Sequence, residues 1–186
     1  MTSQKNKTKL AIFVHEGGSH TNLKAIQGAV NTGKINAKIS AIVSDAENYE
    51  SILRTAQPDY ICLAGWKKII PNTLVLAYPN RILNLHSGII PDGIDGFLKN
   101  PDGTRALWNK GLYGDKAIQS FLDNKATFAG SSIHFLTLNF DFGPVLGRVF
   151  EKIEANDDVE SLYIRLKKKE NEMYVDVLEK LTATTC

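Results

Sequence analysis

An asparagine and a histidine stand two positions apart at the end of a short apolar segment, residues 81–86. The apolar neighbours of Asn84 predict a buried strand, which Ser87 and Gly88 then end. Because side chains alternate along a strand, Asn84 and His86 project from the same face. An amide can donate to a developing oxyanion, and an imidazole with a pKa of about 6.5 exchanges protons near neutral pH. The pair is therefore a candidate catalytic site, with a satisfied core asparagine and histidine as the alternative.

A second segment, residues 130–146, is interpreted as another strand that ends in a turn bearing the carboxylate of Asp141. The motif residues of the two segments are Asn84 and His86, Ile89-Ile90-Pro91, His134-Phe135, and Asp141 with Gly143-Pro144. This pattern resembles the folate-dependent formyltransferase family, most closely its branch that formylates glycinamide ribonucleotide in purine synthesis. The resemblance extends from Leu10 to about Leu181.

The resemblance implies that Asn84, His86 and Asp141 are the catalytic residues. The chain departs from the family motif at two places. The family's Pro-Ser after the histidine is Ser87-Gly88 here, and the first glycine of its Asp-Gly-Gly-Pro turn is Phe142. These departures concern the shape of the loops and the donor pocket rather than the three catalytic residues.

The reaction implied is attack by a primary amine on a formyl carbon, with a folate nitrogen as leaving group and 10-formyltetrahydrofolate as co-substrate. We expect Asn84 and His86 to stabilise the tetrahedral oxyanion, with His86 as an imidazolium. Asp141 is expected to orient His86, stabilise its charge and relay protons. No metal is expected, because a formyl amide is activated enough without a Lewis acid.

A glycine-rich loop follows the apolar run of residues 9–15 and leads into a helical pattern. Such a loop can hold an anion with backbone N–H groups at a helix N-terminus, although an ordinary tight turn fits the sequence equally well. In the family this loop binds the substrate phosphate. The residues assigned to it by resemblance are Gly17, Gly18, Ser19, His20, Thr21 and Asn22.

Two further groups of binding residues are implied by the resemblance. Lys167 and Glu170 match a pair that reaches the phosphoribosyl part of the substrate, whereas helical spacing alone predicts a solvated surface ion pair. Lys68 replaces a family arginine, which keeps the charge but loses the bidentate fork. The residues assigned to the folate are Lys67, Lys68, Ile69, Ile70, His134, Leu136 and Asp141.

Strands alternate with helices along the chain, which predicts an α/β, Rossmann-like, mostly parallel sheet with helices on both faces. Residues 144–153 alternate in polarity, so we expect an antiparallel strand near the C-terminal edge, followed by a long helix capped by residues 156–158. The insertion at about 91–113 is interpreted as a lid or specificity element, or as a surface excursion. Its apolar residues, Phe97, Leu98 and Trp108, favour packing against the domain.

The composition is that of a soluble globular protein, and residues 1–186 are expected to form one catalytic domain. A net charge of +2 gives no argument for nucleic acid, and no apolar stretch predicts a membrane segment. Cys62 and Cys186 form neither a disulfide framework nor a metal motif, in keeping with a cytoplasmic location. The expected partners are small-molecule substrates, with the chain a monomer or homodimer.

Four rival functions remain at this point. An N-formyltransferase for another amine, such as an amino-sugar nucleotide, would share the three catalytic residues. Transfer to methionyl-tRNA or hydrolysis of the folate normally involves an additional domain. A non-catalytic Rossmann-like module would bind a nucleotide through the glycine-rich loop and Asp45.

Overall fold

The fold is built on one six-stranded sheet. A computed structural model describes residues 7–45 and 47–183. The strand order is β2-β1-β3-β4-β5-β6. The strands are β1 (Thr8–Val14), β2 (Ala37–Ser44), β3 (Tyr60–Leu63), β4 (Ile82–His86), β5 (Phe128–Phe135) and β6 (Val145–Lys152).

Strands β1 to β4 are parallel to one another, whereas β5 is antiparallel to β4 and β6 is antiparallel to β5. The predicted mostly parallel sheet with an antiparallel strand near the C-terminal edge is therefore confirmed. Consecutive parallel strands need crossover connections, which helices provide here. The chain moves from β1 to β2 on one side and to β3 on the other, so a topological switch lies at the carboxyl ends of β1 and β3.

Five helices cover the two faces of this sheet in the described part of the chain. They are α1 (Thr21–Asn31), α2 (Tyr49–Ala56), α3 (Asn72–Ala77), α4 (Gly114–Asp123) and α5 (Val159–Thr182). One core joins α1 and α5 to the sheet around Ile26, Leu83 and Tyr174. A second core joins α2 and α3 to the other face, around Leu53, Val75 and Ile82. Ile82 has the parity of Asn84 and His86, so the two polar side chains lie on the α2 and α3 face.

The long helix α5 starts where its capping residues predict. The side chain of Asp158 accepts a hydrogen bond from Ser161 N, and Ser161 Oγ accepts one from Asp158 N, which completes a capping box. Arg165 ties the first turns to β6 through Glu151 and to the preceding loop through Asp157. The helix is thereby fixed against β5 and β6.

The insertion between β4 and α4 packs on the domain over part of its length. Asn100 and Ala106 are buried, and Lys99 and Arg105 form an antiparallel bridge. Phe97 is 57% exposed and contributes little to this packing. Trp108, in contrast, lies against the site described below.

Among the described residues, no helix is long and apolar enough to cross a membrane. Cys62 is a buried free thiol, and burial raises its pKa to about 12. The sulfur is therefore unreactive at neutral pH. Cys186 lies outside the described residues.

Candidate active site

The candidate site begins with β4, which presents Asn84 and His86 on one face. Neighbouring β5 places His134 opposite Asn84 and Ser132 opposite His86. All four side chains therefore belong to the same face of the antiparallel pair. His86 is 4% exposed, whereas Asn84 is half-buried.

Asn84 is oriented by His134. Its amide Nδ2 lies 3.2 Å from Nε2 of His134, whose other nitrogen, Nδ1, lies 3.0 Å from the carbonyl oxygen of Phe135. A carbonyl can only accept, so Nδ1 carries the proton and Nε2 accepts from the amide. Burial, with a smaller effect from His86, lowers the pKa of His134 to about 4, so this imidazole is neutral near pH 7. His134 is fully buried, so in this structure its side chain contacts Asn84 and not the protein surface.

The proton on His86 is located by the insertion. Nε2 of His86 lies 2.7 Å from the carbonyl oxygen of Trp108, so Nε2 is the protonated nitrogen. Nδ1 then faces Oδ1 of Asp141, at 3.7 Å. Burial lowers the pKa of His86, although Asp141 and the Trp108 carbonyl oppose this shift. Burial therefore disfavours the expected imidazolium, and in a neutral ring the lone pair on Nδ1 faces Asp141.

Asp141 occupies a tight turn between β5 and β6. Its backbone has a φ of 48°, in the left-handed region. Its carboxylate accepts a hydrogen bond from Gly111 N at 2.8 Å, and its carbonyl accepts one from the indole of Trp108 at 3.0 Å. A Cβ on Gly143 would lie 2.1 Å from the carbonyl oxygen of Phe135, so this second glycine of the motif cannot be replaced without moving the turn. The position of the first glycine of the motif is occupied by Phe142 in this chain.

The glycine-rich loop lies between β1 and α1, at the topological switch. Gly17, Gly18 and Ser19 are exposed. His20 has a φ of 55° and its Nε2 lies 2.9 Å from the carbonyl oxygen of His15. Thr21 begins α1, which has no side-chain hydrogen bond at its N-cap. Asn22 is 3% exposed, and its Oδ1 has no hydrogen-bond partner among the described residues.

Lys167 and Glu170 are not a solvated surface pair. Lys167 Nζ lies 2.7 Å from Oε2 of Glu170, and Ser131 Oγ donates to Oε1 at 2.5 Å. Glu170 is 3% exposed. Burial opposes the charge on Lys167, yet the attraction of Glu170 prevails and raises the pKa of the lysine. Ser131 adjoins Ser132, the partner of His86, so the pair lies at the carboxyl end of β4 on the α5 face.

The predicted folate residues fall in two places. After β3, Lys67, Lys68 and Ile69 are exposed whereas Ile70 is buried, and Lys68 Nζ donates to the carbonyl oxygen of Asp45. Leu136 is half-buried after β5 and its N–H bonds to the carbonyl of Ile82. Beside the Asp141 turn lies a cleft of about 330 Å³, lined by Pro91, Asp92, Thr137, Asn139, Phe142, Gly143, Pro144 and Val145.

Asp45 is engaged with other groups. Its carboxylate bonds to Nδ1 of His15 and to the backbone N–H of Glu16, and the hydrogen bond from His15 holds the pKa of Asp45 below its usual value. A ribose would have to compete for these oxygens. This arrangement disfavours the nucleotide-binding module, which assigned Asp45 to a ribose.

A family model described as formyl transferase matches residues 45–178, a range that includes Asn84, His86 and Asp141. The chain belongs to the formyl transferase family. Among the relatives of this chain, the chloroplastic phosphoribosylglycinamide formyltransferase of Arabidopsis thaliana is 30% identical over 204 residues. That alignment covers 92% of this chain and 64% of the relative, so the chain spans less than two thirds of the plant protein.

Crystal structures of other proteins show the same fold as this chain. Glycinamide ribonucleotide transformylase 1 from Symbiobacterium toebii matches with a TM-score of 0.79 at 22% identity, over 96% of this chain and 89% of that one. Phosphoribosylglycinamide formyltransferase from Bacillus halodurans matches with a TM-score of 0.77 at 22% identity, over 95% and 96% of the two chains. The family and fold predictions are confirmed.

Several residues that shape the site have no motif signal in the sequence. Ser132 Oγ accepts from Ile90 N and donates to the carbonyl oxygen of Gly88. Arg148 on β6 donates twice to the carbonyl oxygen of Ile90. These contacts fix the segment after His86. The only hint in the sequence is the pair of serines, Ser131 and Ser132, between the apolar residues of β5.

Proposed function

We propose that this chain transfers a formyl group from 10-formyltetrahydrofolate to the amine of glycinamide ribonucleotide, as a phosphoribosylglycinamide formyltransferase of de novo purine synthesis. The observation that carries the proposal is the convergence of Asn84, His86 and Asp141, with Nδ1 of His86 facing the carboxylate at 3.7 Å. The names of the relatives support the choice of substrates. Residues 1–186 act in this proposal as one catalytic domain.

The geometry suggests how the three residues divide the chemistry. The amide of Asn84, held by His134, donates to the oxyanion that forms on the formyl group. His86 starts neutral with its lone pair on Nδ1, so it accepts the proton that the amine loses on attack. Asp141 stabilises the resulting imidazolium, because a carboxylate nearby favours the protonated form. That proton then passes to the departing folate nitrogen.

The phosphorylated amine is assigned to the edge of the sheet between α1 and α5. The exposed loop of Gly17, Gly18 and Ser19 before α1 suits a phosphate, which would compete with the carbonyl oxygen of His15 for the N–H of Gly18. Lys167 adds a positive charge, and Glu170 offers an acceptor for sugar hydroxyls. Since α1 and α5 share one core, a single ligand lying across this edge could contact both groups and place its amine beside His86.

The folate is assigned to the opposite side of Asn84. Ile69 is 83% exposed beside the carboxyl end of β3, where it offers an apolar surface to an aromatic ring. Ile70, Leu136 and the turn at Asp141 complete this region, and Lys67 and Lys68 suit the acidic tail of a folate. In this chain, Lys68 reaches a folate only by leaving its bond to the backbone of Asp45.

The proposal is tested by mixing the purified protein with 10-formyltetrahydrofolate and following the folate absorbance before and after glycinamide ribonucleotide is added. A change that depends on the ribonucleotide and yields the formylated amide supports it. A change without any amine would indicate hydrolysis, and turnover with an amino-sugar nucleotide alone would reassign the acceptor. Asp141→Asn serves as the inactive control. The cytoplasmic location remains a prediction.

A further inference from the structure

Trp108 lies between the two places where the sequence departs from the family motif. One departure is Gly88 after the catalytic histidine, and the other is Phe142 in the Asp141 turn. The structure brings both into contact with Trp108, although this residue belongs to the insertion. We refer to Gly88, Trp108 and Phe142 as the Trp108 unit.

The first contact explains the glycine. A Cβ on Gly88 would lie 1.8 Å from the carbonyl oxygen of Trp108 and 2.8 Å from Nε2 of His86. These are the two atoms that share the 2.7 Å hydrogen bond. Any side chain at position 88 would therefore enter the space between them. Glycine is required here because the insertion approaches the strand end so closely.

The second contact explains the phenylalanine. The ring of Phe142 packs against the indole of Trp108, with ring centroids 5.9 Å apart and planes tilted by 56°, a favourable aromatic geometry. The same indole donates from Nε1 to the carbonyl oxygen of Asp141 at 3.0 Å. Gly111, three residues further along the insertion, donates to the Asp141 carboxylate at 2.8 Å. Two residues of the insertion thus hold the Asp141 turn, in addition to the β5 and β6 strands that the turn connects.

We propose that Trp108 is a positioning residue, and that the Trp108 unit fixes both the tautomer of His86 and the left-handed turn at Asp141. The backbone carbonyl of Trp108 acts on the imidazole, because it accepts from Nε2 and leaves the lone pair on Nδ1, the nitrogen that faces Asp141. The indole acts on the carboxylate, because it ties down the backbone of Asp141. Trp108 therefore positions His86 relative to Asp141, the two groups that handle the proton. Through Trp108, the motif departures at Gly88 and Phe142 compensate for each other.

The kinetic part of this inference depends on the proposed function, but the tautomer can be measured in the free protein. Long-range proton–nitrogen NMR correlations of the imidazoles identify which ring nitrogen is protonated. Wild-type protein is expected to show His86 protonated on Nε2. Gly88→Ala should displace the Trp108 carbonyl and remove this preference. Protonation of wild-type His86 on Nδ1 would overturn the inference, whatever reaction the protein catalyses.

Trp108→Phe is the matched kinetic variant, because it keeps an aromatic ring and the backbone carbonyl but removes the indole N–H together with the five-membered ring that carries it. We expect kcat to fall about tenfold, equivalent to about 1.4 kcal/mol, while KM for both substrates changes less than about twofold. Phe142→Ala should lower kcat similarly, and the double variant should lose less than the product of the two effects, since both act on one turn. Phe97→Ala, an exposed position in the same insertion, is the control.

The outcomes separate cleanly. Unchanged kcat in Trp108→Phe, or losses that multiply in the double variant, would overturn the role of the indole. A fall in thermal stability with normal kcat would mean that Trp108 only packs. If the wild-type protein shows no formyl transfer, the proposed function fails, and the tautomers of wild-type His86 and of Gly88→Ala decide the inference alone. If Gly88→Ala does not fold, wild-type His86 and the Trp108→Phe kinetics decide it.

Discussion

Replacing His134 by phenylalanine tests whether a buried neutral imidazole holds Asn84 in place. His134 is fully buried, and its two ring nitrogens are used by Asn84 and by the carbonyl of Phe135. Burial lowers its pKa from 6.5 to about 4. The unfolded chain therefore binds a proton at this residue more readily than the folded one. The resulting stability is fully present above pH 6.5 and is lost as the pH falls toward 4.

The size of this effect follows from the two pKa values. Their difference is about 2.5 pH units (6.5 − 4), and each unit corresponds to about 1.4 kcal/mol. His134 should therefore remove about 3 kcal/mol from the free energy of unfolding across that range. At neutral pH the phenylalanine variant loses two hydrogen bonds and is expected to be less stable than wild type, but its stability should depend less on pH.

Urea unfolding of both proteins at about pH 7.5 and about pH 4.5 measures the difference. Wild type should lose about 2 to 3 kcal/mol more than His134→Phe between these conditions. Carboxylates such as Asp157 titrate in both proteins, so their contributions cancel in the comparison. Equal losses would show that His134 is not the buried neutral group described here. At neutral pH, kcat of the variant should also fall about tenfold, because Asn84 loses its orienting partner.

Three further predictions concern the site. Since burial lowers the pKa of His86, kcat/KM should fall about tenfold per pH unit on an acid limb below pH 6.5, and Asp141→Asn should move this limb to lower pH; a limb above 6.5 would contradict the neutral base. His86→Ala and Asp141→Asn should each lower kcat by about 10² or more, and measured together in single-turnover experiments their losses should not add; additive losses would separate Asp141 from His86. Inorganic phosphate should compete with the ribonucleotide in inhibition kinetics. Gly18→Val, whose Cβ would lie 3.0 Å from the carbonyl oxygen of His15, should weaken the binding of both phosphate and ribonucleotide. Unchanged inhibition by phosphate in this variant would show that the loop is only a turn.

The sequence predicted the sheet and the placement of Asn84 and His86 because these depend on local patterns. Apolar runs of strand length, separated by helical periodicity, leave few topologies other than a parallel sheet. Alternation along β4 then places both side chains on one face whatever surrounds them. The capping residues of α5 are equally local, since Asp158 and Ser161 are three positions apart.

The protonation state of His86 could not be predicted in this way. It depends on a carbonyl 22 positions further along the chain, in an insertion without regular periodicity. The motif departures at Gly88 and Phe142 suggested altered loops. Both residues contact Trp108, but no local sequence pattern connects Trp108 to either of them. Burial also decided the sign of the pKa shift. A carboxylate at 3.7 Å favours the charged imidazole, yet removal from water has the larger effect on the pKa of His86.

The environment of Lys167 and Glu170 also could not be predicted from local sequence patterns. Helical spacing alone predicts a weak, solvated pair, because exposed ion pairs contribute little. The fold instead buries Glu170 and gives its second oxygen a donor, Ser131, from another element. A buried carboxylate is costly unless each oxygen has a partner, so this site retains a charge that a purely structural helix could replace with an apolar residue. Its position at the carboxyl end of β4 is where a ligand bearing hydroxyl groups would meet it. If the proposed function is right, binding of the ribonucleotide explains the cost of burying that charge, and Glu170→Gln should raise KM for the ribonucleotide while leaving KM for the folate unchanged.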